Sequence, residues 1–533
     1  MSGNASARLS APVAHARLTP ASLVLWTILI SGVLRLLAGA GIEYGNGEGY
    51  YVATARHLAL SYFDQPPVSL WITWAMIKLA GAGAVLAVRL PFIGMFAVTT
   101  WLMFRLGERL FGAWAGAWAA VLLNLSLVFT VSIGSWVQPD GPLFLFLLAA
   151  SLPLVDLIFG EPAHRMRLWA AAGAAFGLAL ISKYHAALTL CGLLIFVTTT
   201  PRHRAWFFDR GLAVAAVIAA LIFSPVLIWN WQNDWASFLF QGDRVFGSSI
   251  RFDWLARSIA GQASLIGVVV WVPLMVSYFG ALRRGPADAR SWFLCCVAIV
   301  PIILFTVMAL WAPLGWHFHW QTPGYVFLFP LLGKAVAERM ERNDRVTRIW
   351  LWITSVGLVI LVGLLVGQAR YGWVRDLLPA RFRAMPYQTT NPTRELTAWT
   401  GLREVLTQKG LLPSNGKLFA VVQHWTQVGK ADAQIGDEVP VICLCGDPRN
   451  IAFGWDQRTF LGRDALIIFR AGDDFDPIAA YGQYFEAVEP LTRFDVTLGG
   501  EVAETIEVYR GTAYTHLYPL SLPPAQAGSA TGQ

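Results

Sequence analysis

The chain has 533 residues, 56% of them hydrophobic and 14% charged, with a formal net charge of +7 and a mean hydropathy of +0.52. Such a composition excludes a soluble globular domain of this size. The excess of positive charge sits in short loops between apolar runs, so it needs no nucleic-acid partner.

Crossing a hydrocarbon core of ~30 Å takes about 20 apolar residues. Runs of that kind lie near residues 22–42, 90–104, 113–133, 141–159, 211–230, 259–280, 291–313, 321–337 and 349–367. The first is expected to be an uncleaved helix, because no small-residue cleavage site follows it. Residues 168–200 are apolar around Ser182-Lys183-Tyr184-His185. As one helix they would measure roughly 50 Å at ~1.5 Å per residue, so two short helices with Lys183 at the turn are expected, giving about eleven spans. The amphipathic piece 68–83, which carries Lys78 and follows two prolines, reads as an interfacial helix.

Arginines fall in alternate loops: Arg8 and Arg17, Arg105 and Arg109, Arg165 and Arg167, Arg202 to Arg210, Arg283 to Arg290, and Arg339 to Arg348. The positive-inside rule assigns those loops to the cytoplasm. The opposite loops hold Glu48 and Asp64, Gln138-Pro139-Asp140, Lys183, residues 231–258, and Trp316-His317-Phe318-His319-Trp320. An odd span count then places everything after residue 370 outside the cytoplasm.

After residue 370 charge and turn residues increase, with strand-like runs at Leu418–Gln423, Val439–Cys443 and Ala465–Phe469 and helical patterns near 393–408 and 425–436. The expected organisation is a disordered cytoplasmic stretch 1–20, an all-α polytopic membrane region 21–369 with its first outer loop at 43–67, a small extracytoplasmic α/β domain 370–520, and a disordered tail 521–533. Cys191, Cys295 and Cys296 lie in apolar runs as small hydrophobes. Cys443 and Cys445 read as a pair of strand residues, because a bridge between residues two apart would be strained.

Carboxylates at the edge of a bilayer need a polar cavity or water. Glu48 and Asp64 are two such groups in one short loop; the alternative is a pair of solvated acids that never meet. Taken in order, Glu48-Gly-Tyr-Tyr, Tyr-Phe-Asp64-Gln-Pro-Pro, Gln-Pro-Asp140, Ser-Lys183-Tyr, Ser224-Pro-Val-Leu-Ile-Trp-Asn230, Phe240-Gln241 with Arg244, and His319-Trp-Gln-Thr-Pro323-Gly-Tyr325 resemble the bacterial protein-mannosyltransferase-like membrane glycosyltransferases. The aminoarabinose transferases of lipid A belong to the same wider group. The later segment resembles that branch through Val422–Gly429 and Gly446-Asp447-Pro448-Arg449 with Gly454-Trp455.

The resemblance implies a GT-C fold and an inverting glycosyltransferase. Its donor would be a polyprenyl-monophosphate sugar and its acceptor lipid A or lipopolysaccharide, a polysaccharide or a protein, at the periplasmic side of a bacterial inner membrane. Acceptor activation needs a carboxylate base, and Glu48 and Asp64 are the catalytic candidates, because Gly47 stands where many relatives have an Asp. Lys183 and Arg244 are candidates for the leaving phosphate; otherwise Lys183 snorkels to the interface and Arg244 is a solvated loop charge. Tyr51, Arg56, Gln65, Asp140, His317, His319 and Tyr325 complete the expected substrate-binding set. Asp140 has an alternative as a helix N-cap, and the histidines as part of an aromatic belt. With cations at the phosphate, no metal or cofactor is expected. A transporter or flippase of a lipid-linked saccharide, or an inactive relative that binds glycans, are the competing functions.

Overall fold

The computed structural model describes residues 18–520 apart from 245–249, 313–318, 378, 384, 386–390 and 392. His317 and the two expected disordered ends, save Leu18–Pro20, lie outside the described residues. Six described helices are long and apolar enough to cross a membrane: Pro20–Gly41, Val85–Phe111, Asp140–Phe159, Arg210–Gln232, Ala289–Met308 and Arg345–Tyr371. A seventh crossing arises if the bent pair after Phe252 counts as one.

The expected count of about eleven is therefore not reached by length and composition, for local reasons. Over 113–133 the helix stops at Leu125, where Ser126 turns extended and its hydroxyl donates to the Ile266 carbonyl. Near 259–280 the chain breaks at Gly267, whose φ of +93° is open to glycine, and the two arms meet at 108°. Over 321–337 a 3₁₀ turn at Val326–Leu328 precedes the helix Phe329–Glu341, whose second residue, Pro330, lacks an N–H that the first turn would leave unbonded. Residues 168–200 do form two short helices, Arg165–Leu180 and Leu188–Thr199, with Lys183 between them. The expected amphipathic piece is the helix Val68–Ala80.

Beyond residue 400 the three expected strands are present as β1 (Leu418–Val422), β2 (Val441–Cys443) and β3 (Asp464–Arg470). They are parallel and buried along almost their whole length, as strands covered on both faces are. Two further strands, β4 (Phe485–Leu498) and β5 (Glu501–Tyr514), form a hairpin that adds antiparallel to β3, giving the order β2-β1-β3-β5-β4. Gly499 and Gly500 make its turn with φ of +61° and +82°, values that a two-residue hairpin turn demands.

Two features correct the sequence reading here. Cys443 and Cys445 are bridged, and their Cα atoms, 5.4 Å apart, lie within the ordinary range for a disulfide. The core of the later domain also reaches back into the first outer loop: Tyr50 and Ala53, on the helix Asn46–Ala55, pack in one cluster with Trp399, Val428 and Ile451.

Candidate active site

The loops expected to share one face converge on a cavity of about 560 Å³. Its wall includes Glu48, Tyr51, Asp64, Gln65, Asp140, Lys183, Arg244 and His319, joined by Trp425 and Arg449 from the later domain.

Glu48 lies in the first turn of the loop helix and is buried. Its Oε1 accepts from Arg89 Nε at 2.8 Å and from the Val137 amide at 3.0 Å, and its Oε2 accepts from Arg89 Nη2. Arg89 also donates to the carbonyls of Gly39 and Ile42. Both carboxylate oxygens of Glu48 are thus committed to a buried ion pair that ties the loop to the helix Val85–Phe111. Arg89, near that helix's start, had no role in the sequence reading, since its partner lies 41 residues away.

Asp64 differs. It is only 3% exposed, and its Oδ1 has no hydrogen-bond partner among the described residues. Its backbone is fixed, because its carbonyl accepts from Gln241 Nε2 at 2.8 Å and the following Pro66 and Pro67 restrict the chain. Burial raises the Asp64 carboxyl above its ordinary range, against the opposing pull of Arg449 and a hydrogen bond from Tyr50. A buried carboxylate oxygen at a cavity wall, without a hydrogen-bond partner among the described residues, is the arrangement a general base requires.

Lys183 and Asp140 form a buried pair, with Nζ 2.9 and 2.8 Å from the two carboxylate oxygens. This overturns two alternatives: Lys183 does not snorkel outward, and Asp140 makes no side-chain cap to its helix. The Arg244 guanidinium lies 4.7 Å from the Trp320 ring centroid and 5.2 Å from that of Phe240, so it is no solvated loop charge. Burial, followed by the nearby Arg449 charge, lowers its pKa. His319 is pushed down to about 3 by burial and then by Lys183 and Arg244, so it is neutral near pH 7.

Two expected residues are elsewhere. Arg56 pairs with Asp432 and Asp437, each at 2.8 Å, and so fastens the loop helix to the later domain instead of lining the cavity. Tyr325 is buried among helices, where its hydroxyl donates to Gln262 and accepts from Trp271. In both cases the partner is far away in sequence, and that partner decides where the side chain points. Among the described residues no group of three His, Cys, Asp or Glu side chains is gathered to hold a metal ion.

Residues 64–229 match the family model described as dolichyl-phosphate-mannose-protein mannosyltransferase. The crystal structure of ArnT from Cupriavidus metallidurans bound to undecaprenyl phosphate superposes with a TM-score of 0.59 at 16% identity, covering 91% of this chain and 97% of that one. The chain has the fold of that transferase and resembles the GT-C membrane glycosyltransferases. The GT-C fold and the family resemblance expected from the motifs are therefore borne out. Lipid A galacturonosyltransferase RgtD of Rhizobium johnstonii is 26% identical over 52% of this chain and 58% of its own length. The undecaprenyl phosphate-alpha-4-amino-4-deoxy-L-arabinose arabinosyl transferase of Edwardsiella ictaluri is 26% identical over 47% of this chain and 46% of its own. The chain thus spans only about half the length of these curated relatives.

Proposed function

We propose that the protein moves a sugar from a polyprenyl-monophosphate carrier to an envelope glycolipid of the lipid A or lipopolysaccharide class, with inversion at the anomeric carbon. The observation that carries this reading is the meeting, in one cavity, of an Asp64 oxygen unpartnered among the described residues with the cations Arg244 and Lys183. The relatives' names supply the substrate classes.

In the reaction the acceptor hydroxyl gives its proton to Asp64 as its oxygen bonds to the anomeric carbon. The bond from that carbon to the phosphate oxygen breaks, and both its electrons leave with the polyprenyl phosphate. The phosphate gains a negative charge as it leaves, and preorganised guanidinium and ammonium donors stabilise it without reorganising. Arg244, held beside the Trp320 and Phe240 rings at the cavity wall, takes that task; Lys183 contributes through its pair with Asp140. Neutral His319 and Tyr51 offer hydrogen bonds to sugar hydroxyls. Glu48, held by Arg89, shapes the loop and is not the base.

Purified protein in detergent, given a polyprenyl-phosphate sugar and lipid A, should yield the glycosylated lipid and free polyprenyl phosphate. If a range of carrier-linked sugars is left intact, or is moved across vesicles without bond cleavage, the reading fails.

A further inference from the structure

The motif Gly446-Asp447-Pro448-Arg449 follows the Cys443–Cys445 bridge and ends at the cavity wall. Arg449 has a φ of +48°, in the left-handed region that strains a non-glycine residue. Its guanidinium carbon lies 3.6 Å from the centroid of the Trp425 ring, a close stacking contact. The next residue fixes the loop to the first outer loop: the Asn450 amide donates to the Tyr50 hydroxyl at 3.1 Å, and its Oδ1 accepts from the Phe63 amide at 2.8 Å. Phe63 precedes Asp64.

A strained backbone, an aromatic platform and a doubly bonded neighbour all hold one guanidinium at the Asp64 end of the cavity. Asp447, at 3.3 Å from Nε, is its one ion-pair partner among the described residues. Arg244 lies near enough that the two positive charges disfavour each other. Two guanidiniums held in one cavity are complementary to an oxyanion between or beside them, and the planar fork of arginine suits phosphate or carboxylate.

We propose that Arg449 is a substrate-binding residue contributed by the C-terminal domain, which holds an oxyanion of the bound substrate beside Asp64. The assignment rests on the glycosyl-transfer reading. It also means that the cavity is complete only when this domain is docked on the first outer loop.

The test uses the purified full-length protein as wild type, Arg449→Gly and Arg449→Lys. Glycine relieves the left-handed backbone, so Arg449→Gly should unfold at the wild-type temperature or above it, which separates loss of binding from loss of folding. Sugar-free polyprenyl phosphate binding and the KM values for donor and acceptor are then measured. Loss of a charge-assisted contact should weaken one of them by about ten- to a hundredfold in Arg449→Gly, with partial recovery in Arg449→Lys. Weaker polyprenyl phosphate binding identifies the anion as the carrier phosphate. Unchanged binding with a raised KM for donor or acceptor places the oxyanion on the sugar or the acceptor. Arg449→Gly with wild-type binding and wild-type KM values overturns the proposal. A wild-type protein that neither binds the carrier nor transfers sugar overturns the reading beneath it instead.

Discussion

Gly49 and Gly429 meet backbone to backbone: a Cβ placed on Gly429 would fall 2.1 Å from the Gly49 carbonyl carbon. This contact lets the helix Trp425–Ile435 lie directly on the loop helix that carries Glu48, Tyr50 and Tyr51. Arg56 locks the same junction through Asp432, a carboxyl that burial pushes up and that arginine pulls back.

Because that gap admits no methyl group, Gly429→Ala should force the helices apart. Overpacking of this kind costs about 1–3 kcal/mol. Thermal unfolding in detergent should show a lower midpoint, and transfer should fall as Trp425 and Arg449 leave the cavity. Gly47→Ala is the contrast, since nothing lies within 4 Å of its Cβ position and no loss of stability is expected there. Equal midpoints for Gly429→Ala and wild type would sink the docking argument.

Glu48 and Asp64 should separate by the kind of damage their removal does. Asp64→Asn keeps the shape of the cavity but removes the proposed base, so turnover should drop about 10²–10⁴-fold while carrier binding and the unfolding midpoint persist. Glu48→Gln leaves Arg89 buried without its counter-charge, and breaking such a pair costs about 3–5 kcal/mol. Its main effect should be a lower unfolding midpoint. The opposite pattern, a stable but inactive Glu48→Gln beside an active Asp64→Asn, would move the base to Glu48.

These distinctions were only partly legible in the sequence. The long apolar helices, the turn at Lys183 and the buried strands β1 to β3 could be read there, since each carries its signal in consecutive residues. The β4–β5 hairpin was missed although Gly499-Gly500 marks its turn, because its strands are half exposed and laced with charge. The convergence of Asp64, Asp140, Lys183 and Arg244 followed from placing their loops on one face. The roles of Arg56, Arg89, Tyr325 and Arg449 did not, since each depends on partners set by tertiary packing; Asp432 lies 376 residues beyond Arg56.

A buried base also predicts a pH profile. Burial raises the Asp64 carboxyl above the 3.8 of an ordinary aspartate, so the acid limb of kcat/KM should lie above that value. Arg449 is the leading influence that opposes the rise, and its removal in Arg449→Gly should shift the limb further upward. For stability the sign is opposite. The folded state holds this proton more tightly than the unfolded chain does, so the group's contribution is full below 3.8 and declines as pH rises through the folded value. Asp64→Asn should remove that decline. A limb that stays at the ordinary carboxylate position in both proteins would count against Asp64 as the base.

The direction in which the cavity opens follows from the same helices. Val85–Phe111 runs from Arg89, beside Glu48, to Arg109, which pairs with Asp156 at 2.9 Å. Asp140–Phe159 likewise starts at the cavity and ends near that pair. At this far end Arg165 meets Asp209, and Arg290 donates to the Leu110 carbonyl. The arginine-bearing loops are therefore gathered opposite the cavity, and the positive-inside rule puts their end in the cytoplasm. On that orientation Asp64, Arg244 and the domain that carries Trp425 and Arg449 are expected on the opposite, extracytoplasmic side. Alkaline phosphatase fused after residue 520 should be active, and a fluorescent protein fused at the same point and exported unfolded should be dark. A dark phosphatase and a bright fluorescent fusion would reverse the orientation, and with it the side of the membrane on which the acceptor must be sought.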